Sequence, residues 1–266
     1  MDIGTAKAPQ SVRERIAHHM IDVAEPASEF SVAEFQRQGR AAMDSAVQGR
    51  ERIIIVGGSG LHFRSLVDPM TFAPTDAEIR EGLESTPLDE LQQELLSIDD
   101  QAPSVLDMCN RRRVIRAIEV WRITEKTPSE RARSSESDAV RRYEPLIKHV
   151  SLGWDAHDLM AERIASRFQG MLDAGLLNEV ATVAPLLGRT AAQALGYKEL
   201  LGVVSGDVTM EEAREEVIRA TRALVKRQRT FFRRDPRIEW QAWQDDEVQR
   251  IEMAVSRVGE VAGWNS

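Results

Sequence analysis

Residues Glu51–Phe63 read ERIIIVGGSGLHF. Arg52–Val56 is a nearly continuous run of Ile and Val bounded by glycines. That is the pattern of a short strand buried on both faces, as in a parallel sheet covered by helices. Gly57-Gly58-Ser59-Gly60 then predicts a tight turn, and Leu61–Val67 the helix that follows. A glycine-rich turn lets backbone come close to a ligand, and a helix start offers unpaired N–H groups to an anion. Ser59 then sets a hydroxyl at the mouth of a phosphate-type site. The same residues also describe an ordinary strand–turn–helix corner with Ser59 as N-cap. A glycine motif this short does not choose between them.

The 266 residues fit one large domain or a core carrying an inserted module. A content of 42% apolar and 29% charged residues is that of a soluble globular chain. No window approaches the roughly 18 apolar residues of a membrane span. The opening MDIGTAKAPQSVRER lacks the apolar centre of a secretory signal, so a cytoplasmic chain with no membrane partner is expected. Cys109 is the single cysteine, which excludes an internal disulfide and a cysteine-based zinc cluster. His18, His19, His62, His149 and His157 show no ligand spacing such as HExxH, and no protein metal ligand is expected. A net charge of −8 argues against indiscriminate nucleic-acid binding but leaves room for a local basic face.

Upstream of the glycine turn, Ser11–His18 reads as a short helix and His19–Val23 as a short strand. Ser31 caps a helix from Val32 to about Val47. With Arg52–Val56 the order is strand, helix, strand, a βαβ unit with parallel pairing. From Pro74 to Ser137 no strand signal appears. Helices are expected at Asp76–Glu84, Leu88–Leu96 and Asn110–Thr124, then a short one capped at Thr127-Pro128-Ser129, with Ser134–Asp138 as a polar linker. The third of these helices carries Arg111, Arg112, Arg113, Arg116 and Arg122. Arg112, Arg116 and Glu119 share a face, which reads either as a solvated face with salt bridges or as an anion-facing surface.

Leu146–Trp154 returns to strand texture, Asp155 starts a helix with its body at Leu159–Asp173, and Leu176–Leu187 is another. Gly196 interrupts an otherwise helical pattern over Thr190–Leu200, at about 1 kcal/mol against Ala, and so calls for a packing or functional reason. Thr209–Arg234 is the strongest helix. Thr209 and Glu212 form a capping box, the start is acidic and the end basic. Ala213, Val217, Ala220, Leu224, Gln228 and Phe231 make one face. Arg222, Lys226, Arg229 and Arg233, extended by Arg219, make a basic stripe longer than dipole complementarity requires, and read as a polyanion-facing surface. Arg237–Trp243 is a last strand and Glu247–Val261 a closing helix. The division expected is 1–73 and 141–266 for an α/β core and 74–140 for a helical insertion.

Several phrases occur together and in order: Met1-Asp-Ile-Gly-Thr-Ala-Lys7, His19-Met-Ile-Asp22, Val56-Gly-Gly-Ser-Gly-Leu61, Arg112-Arg-Val-Ile-Arg-Ala-Ile-Glu-Val120, Gly175-Leu-Leu-Asn-Glu-Val180, Ala194-Leu-Gly-Tyr-Lys-Glu199, and Thr221-Arg222, Lys226-Arg-Gln228 and Phe232-Arg233. In this combination the chain resembles the tRNA dimethylallyltransferases (tRNA isopentenyltransferases) from Met1 to about Trp240. The resemblance implies a P-loop NTPase-like, ATP-binding-type α/β core with a parallel sheet, and a helical insertion that grips the tRNA anticodon stem-loop. It implies transfer of a dimethylallyl group from dimethylallyl diphosphate to N6 of the adenine just 3′ of the anticodon, position 37. The tRNAs are those reading codons that begin with U, the product is N6-isopentenyladenosine, Mg2+ assists, and the chain is expected to be a monomer. Adenine N6 is a poor nucleophile, so the donor must ionise or nearly do so. Catalysis then rests on stabilising the leaving diphosphate with N–H groups, cations and Mg2+. The target base must also leave its stack.

Carried over by position, the resemblance makes Ser59 and Arg222 the catalytic candidates, Ser59 standing for the family's Thr in a GGT-type turn. Gly57, Gly58, Ser59 and Arg222 are then diphosphate-binding. The stretches matched to tRNA contact are Arg80; Arg112, Arg113, Val114, Ile115 and Arg116; Gln193, Ala194, Leu195, Gly196, Tyr197 and Lys198; and Lys226, Arg227, Gln228, Arg229, Thr230, Phe231, Phe232 and Arg233. His62 stands where the family usually has Tyr. In the family a G-x-x-x-x-G-K-[ST] loop and a general-base Asp precede the DIGTAK phrase. Here that phrase begins at residue 2 and no such loop occurs in the 266 residues. The N-terminal strand, the P-loop and the base are therefore expected to be missing. Two readings follow: an enzyme whose recorded start falls late, or a short form that binds tRNA without catalysis. The chain as written is expected to be inactive.

Overall fold

Side-chain caps set where several of the helices begin. In the computed structural model, which describes residues 1–49, 51–155 and 160–262, a short α1 (Gln10–Arg13) comes first. Ser31 accepts the Glu34 N–H and starts α2 (Val32–Gln48), and α3 (Gly60–Val67) follows the glycine turn. Asp76 caps α4 (Ala77–Glu84), with α5 (Leu88–Ile98) and α6 (Ala102–Val105) after it. Asn110 caps α7 (Arg111–Thr124), and the Thr127–Glu130 capping box starts α8 (Pro128–Ala132). Ser134 accepts the Ser137 N–H and starts α9 (Ser135–Arg141). The remaining elements are β1 (Ser151–Asp155), α10 (Met160–Asp173), α11 (Leu176–Val183), α12 (Tyr197–Ser205), α13 (Met210–Phe232), β2 (Ile238–Ala242) and α14 (Glu247–Ala262). His157 and Leu159 lie outside the described residues.

The chain divides into two compact units, Val67–Lys148 and the residues on either side of it. In the helical unit, Leu83, Leu91 and Leu95 meet Val114, Ile115, Ala117 and Ile118 in one core. Beside that core the fully buried Glu119 accepts from Arg80 at 3.0 Å, Arg116 at 2.7 Å and the Asp76 N–H at 3.0 Å. Asp99, also buried, accepts from the N–H and hydroxyl of Ser129 at 2.8 and 3.0 Å. The unit runs wider than the 74–140 expected because its two ends tie together. The Leu146 N–H donates to the Val67 carbonyl at 2.8 Å. Arg116 also reaches the carbonyls of Ala73 and Pro74 at 2.6 and 2.8 Å.

The other unit has its core where Phe168, Leu176, Val180, Tyr197 and Leu200 meet Ala213 and Val217 on the apolar face of α13. Its sheet, among the described residues, is a single parallel pair, β1 with β2, in register from Ser151↔Ile238 to Asp155↔Ala242. Gly196 has its reason here: it opens α12 at φ +90°, and its N–H is held by Glu199 at 2.7 Å. A positive φ of that size is inexpensive only for glycine.

Three sequence expectations fail. Arg52–Val56 forms no ladder among the described residues, and Ile54 and Val56 are 75% and 89% exposed. The run has strand composition, but a strand needs a paired edge, and none of the described strands reaches it. His19–Val23 is not a strand either. Met20 and Asp22 sit at φ +62° and +57°, incompatible with a ladder, while Lys7 and Arg13 hold the Asp22 carboxylate. The expected βαβ unit is thus not formed. Ser134–Asp138 is no linker, because the Ser134 cap turns the segment into α9.

Candidate functional site

The glycine turn is built to lie against α13. The Ser59 carbonyl accepts the Phe63 N–H at 2.9 Å and opens α3. A Cβ on Gly58 would sit 2.5 Å from Gln228 Nε2, and one on Gly60 only 2.0 Å from the Phe231 ring. Neither approach is open to a larger residue without displacement. Phe63 stacks edge-on with Phe232 at 6.2 Å and with His149 at 5.5 Å, and Phe231 with Phe232 at 5.5 Å. The turn and the basic end of α13 therefore form one face.

On that face Ser59 Oγ and His62 Nδ1 lie 2.7 Å apart, and the His62 ring meets Phe35 edge-on at 4.6 Å. Partial burial holds the imidazole pKa below its ordinary value. The ring is thus neutral at neutral pH, and the imidazole tautomer sets which of the two groups donates in the Ser59–His62 hydrogen bond. His62 therefore retains a hydrogen-bonding role at the position where Tyr is usual in the resembling family.

The basic stripe divides in two. Arg229 and Arg233 share the Asp155 carboxylate at 3.1 and 2.5 Å, and Arg219 pairs with Glu216. Arg222, Lys226, Arg227 and Arg234 are exposed and make no side-chain hydrogen bond or ion pair among the described residues. Lys226, Arg227, Thr230, Phe231 and Arg234 line one shallow groove. Arg222 stands six residues before Gln228, about 9 Å along the helix and about 120° around it. It is therefore offset from the turn both along and around α13.

The other residues matched to tRNA contact separate by burial. Arg112, Arg113, Gln193 and Lys198 are exposed. Arg80 and Arg116 are engaged by Glu119. Val114, Ile115 and Tyr197 are corrections: at 0%, 6% and 0% exposure their side chains are core, held there by the apolar faces of α7 and α12. Ala194 and Leu195 pack against the same core as Tyr197.

Two acidic residues carry structure that the sequence did not disclose. Asp155, read as a helix start, ends β1 and pairs with two arginines of the stripe, Arg229 and Arg233. Glu179 accepts the N–H groups of Asp2 at 2.6 Å, Ile3 at 3.1 Å and Gly4 at 3.3 Å, together with the Tyr197 hydroxyl. Its only trace in the sequence is its place in the phrase Gly175–Val180. No group of three or more His, Cys, Asp or Glu among the described residues could hold a metal ion. Among the described residues no helix is long and apolar enough to cross a membrane.

Comparison with known proteins adds to this geometry. The family model described as IPP transferase matches residues 1–235. The chain is similar to the tRNA dimethylallyltransferase of Bifidobacterium animalis subsp. lactis, 39% identical over 245 residues, covering 90% of this chain and 69% of the relative. Among solved structures it is similar to the full-length tRNA isopentenylpyrophosphate transferase of Bacillus halodurans, 28% identical, with a TM-score of 0.67 over 98% of this chain and 83% of that one. A eukaryotic dimethylallyltransferase acting on tRNA shares the fold at a TM-score of 0.73 and 22% identity, over 96% of this chain and 68% of that one.

Proposed function

The chain belongs to the IPP transferase family, and on that premise we propose that it serves tRNA prenylation, with dimethylallyl diphosphate as donor. The acceptor in this reading is N6 of adenine 37, next to the anticodon, in tRNAs reading codons that begin with U. The N6–carbon bond forms as the carbon–oxygen bond to diphosphate breaks, and N6 loses a proton. The observation that supports this reading is the Gly57–Gly60 turn compressed onto the basic end of α13. There the turn backbone and the Ser59 hydroxyl address an anion, while Lys226, Arg227 and Arg234 offer unpaired cations to RNA. Arg222 acts from the neighbouring face, as a longer-range cation toward the diphosphate. Mg2+, when bound, supplies charge neutralisation to the leaving diphosphate.

The deciding experiment is deletion of the chromosomal copy followed by nucleoside analysis of bulk tRNA. N6-isopentenyladenosine and its derivatives are expected to vanish, and an unchanged level would sink the proposal. A second reading, binding without transfer, concerns the 266 residues as they stand, in which no G-x-x-x-x-G-K-[ST] occurs. Purified chain of that length is expected to retain an anticodon hairpin yet transfer no radiolabelled dimethylallyl group. Transfer at the rate of a full-length relative would overturn this second reading.

A further inference from the structure

The helical unit carries a second cluster of cations, and it is differently built. Asn110 caps α7 and fixes the direction in which the arginines after it project. Arg111 turns away to the carbonyls of Glu84 and Thr86 at 2.8 and 2.6 Å. Arg112, Arg113 and Arg116 instead face Arg131 of α8 across a groove floored by Leu106 and Ala117. Arg116 is satisfied by Glu119 and two backbone carbonyls. The other three guanidiniums have no hydrogen bond or ion pair among the described residues, and no acidic side chain lines the groove.

Arg131 is the informative member. Its Nε is shut off from solvent and has no hydrogen-bond partner. A buried donor left in that state costs about 1–3 kcal/mol and calls for a missing partner. Burial, and after it the nearby Arg116 charge, both disfavour its protonated form. An anion in the groove removes both penalties at once. Guanidiniums match the paired oxygens of phosphate in a forked geometry, and the apolar floor suits a sugar edge better than a second charge.

We propose that Arg112, Arg113 and Arg131 form a socket for one backbone phosphodiester of a bound RNA, with Arg131 seated beneath it. The inference rests on the tRNA-binding reading above, to which Arg112 and Arg113 already belong, and adds to it the phosphate-holding role of Arg131, a residue that the family motifs do not include.

The test uses the full chain and a fluorescent anticodon stem-loop hairpin, titrated across a range of KCl concentrations. Arg131→Gln is expected to weaken binding about fivefold to tenfold and to reduce the salt slope by about 1. Arg131→Lys keeps the charge but not the Nε fork, so it should retain the slope and still lose affinity. Circular dichroism of each variant confirms that α7 and α8 remain folded. If Arg131→Gln binds as tightly and with the same slope as the unaltered chain, while loss of Lys226 and Arg227 lowers both, the socket is overturned and the tRNA reading stands. If the unaltered chain does not bind the hairpin, the tRNA reading itself is overturned. In that case an Arg131 Nε–H resonance that shifts with inorganic phosphate alone identifies a small-anion site and overturns RNA as its occupant.

Discussion

Glu179 ties the first residues of the chain to α11 and α12 through three N–H groups and the Tyr197 hydroxyl. Burial pushes its carboxyl pKa up, but the hydrogen bonds from Tyr197 and the backbone outweigh burial and hold it below the ordinary 4.5. A carboxylate depressed in the folded state contributes stability that is present above the unfolded value and is lost as pH falls through the folded one. Glu179→Gln keeps the shape but turns an NH2 group toward N–H donors. It is expected to cost about 2 kcal/mol at neutral pH, a difference that shrinks as pH drops below 4.5. Urea unfolding of both proteins at neutral and acid pH measures this, and a difference independent of pH would refute the hydrogen-bond account. The sequence could not disclose this role, because Glu179 and Asp2 are 177 positions apart and no periodicity links them. Gly196 is the opposite case: its misfit within a helical pattern is local, so its special backbone was legible before its φ was known.

At the scale of one element, α13 was read almost completely. Its capping box, its buried stripe of Ala213 and Val217, and its run of cations all follow from a period of 3.6 within one segment. What the period could not reveal is the counter-ion, since Asp155 arrives from a strand that ends more than seventy residues earlier. The same limit explains the failed strands. Arg52–Val56 has the right composition, but pairing depends on a partner elsewhere. The split stripe gives a sharper prediction than the stripe alone. Lys226→Ala with Arg227→Ala should leave the melting temperature nearly unchanged while reducing the salt slope of RNA binding by about 2. Arg229→Ala should reduce that slope by less, because Arg229 shares the Asp155 carboxylate with Arg233 and offers RNA only part of a charge. Equal slopes for the two variants would show that Asp155 releases its arginines when RNA binds.

Across the whole molecule, the helical unit has what an independent fold requires: one apolar core, the buried carboxylates of Asp99 and Glu119 with their donors, and ends that meet at Val67 and Leu146. Its all-helical character was legible because caps and amphipathic spacing are local, whereas the tie at its neck was not, which is why the expected limits fell several residues inside it. The segment Val67–Lys148, expressed alone, should therefore be helical by circular dichroism and unfold in one cooperative step. Within it, Glu119→Ala leaves the Arg80 and Arg116 guanidiniums and the Asp76 N–H without their shared acceptor in the protein interior. Removing one member of such a buried set costs about 3–5 kcal/mol, reduced here because both arginines keep part of their surface in water. A loss of about 3 kcal/mol is then a large fraction of what so small a unit can hold. The Glu119→Ala segment should accordingly lose its sharp transition while the unaltered segment keeps it. A gradual melt of the unaltered segment would show that its helices depend on the remainder of the chain.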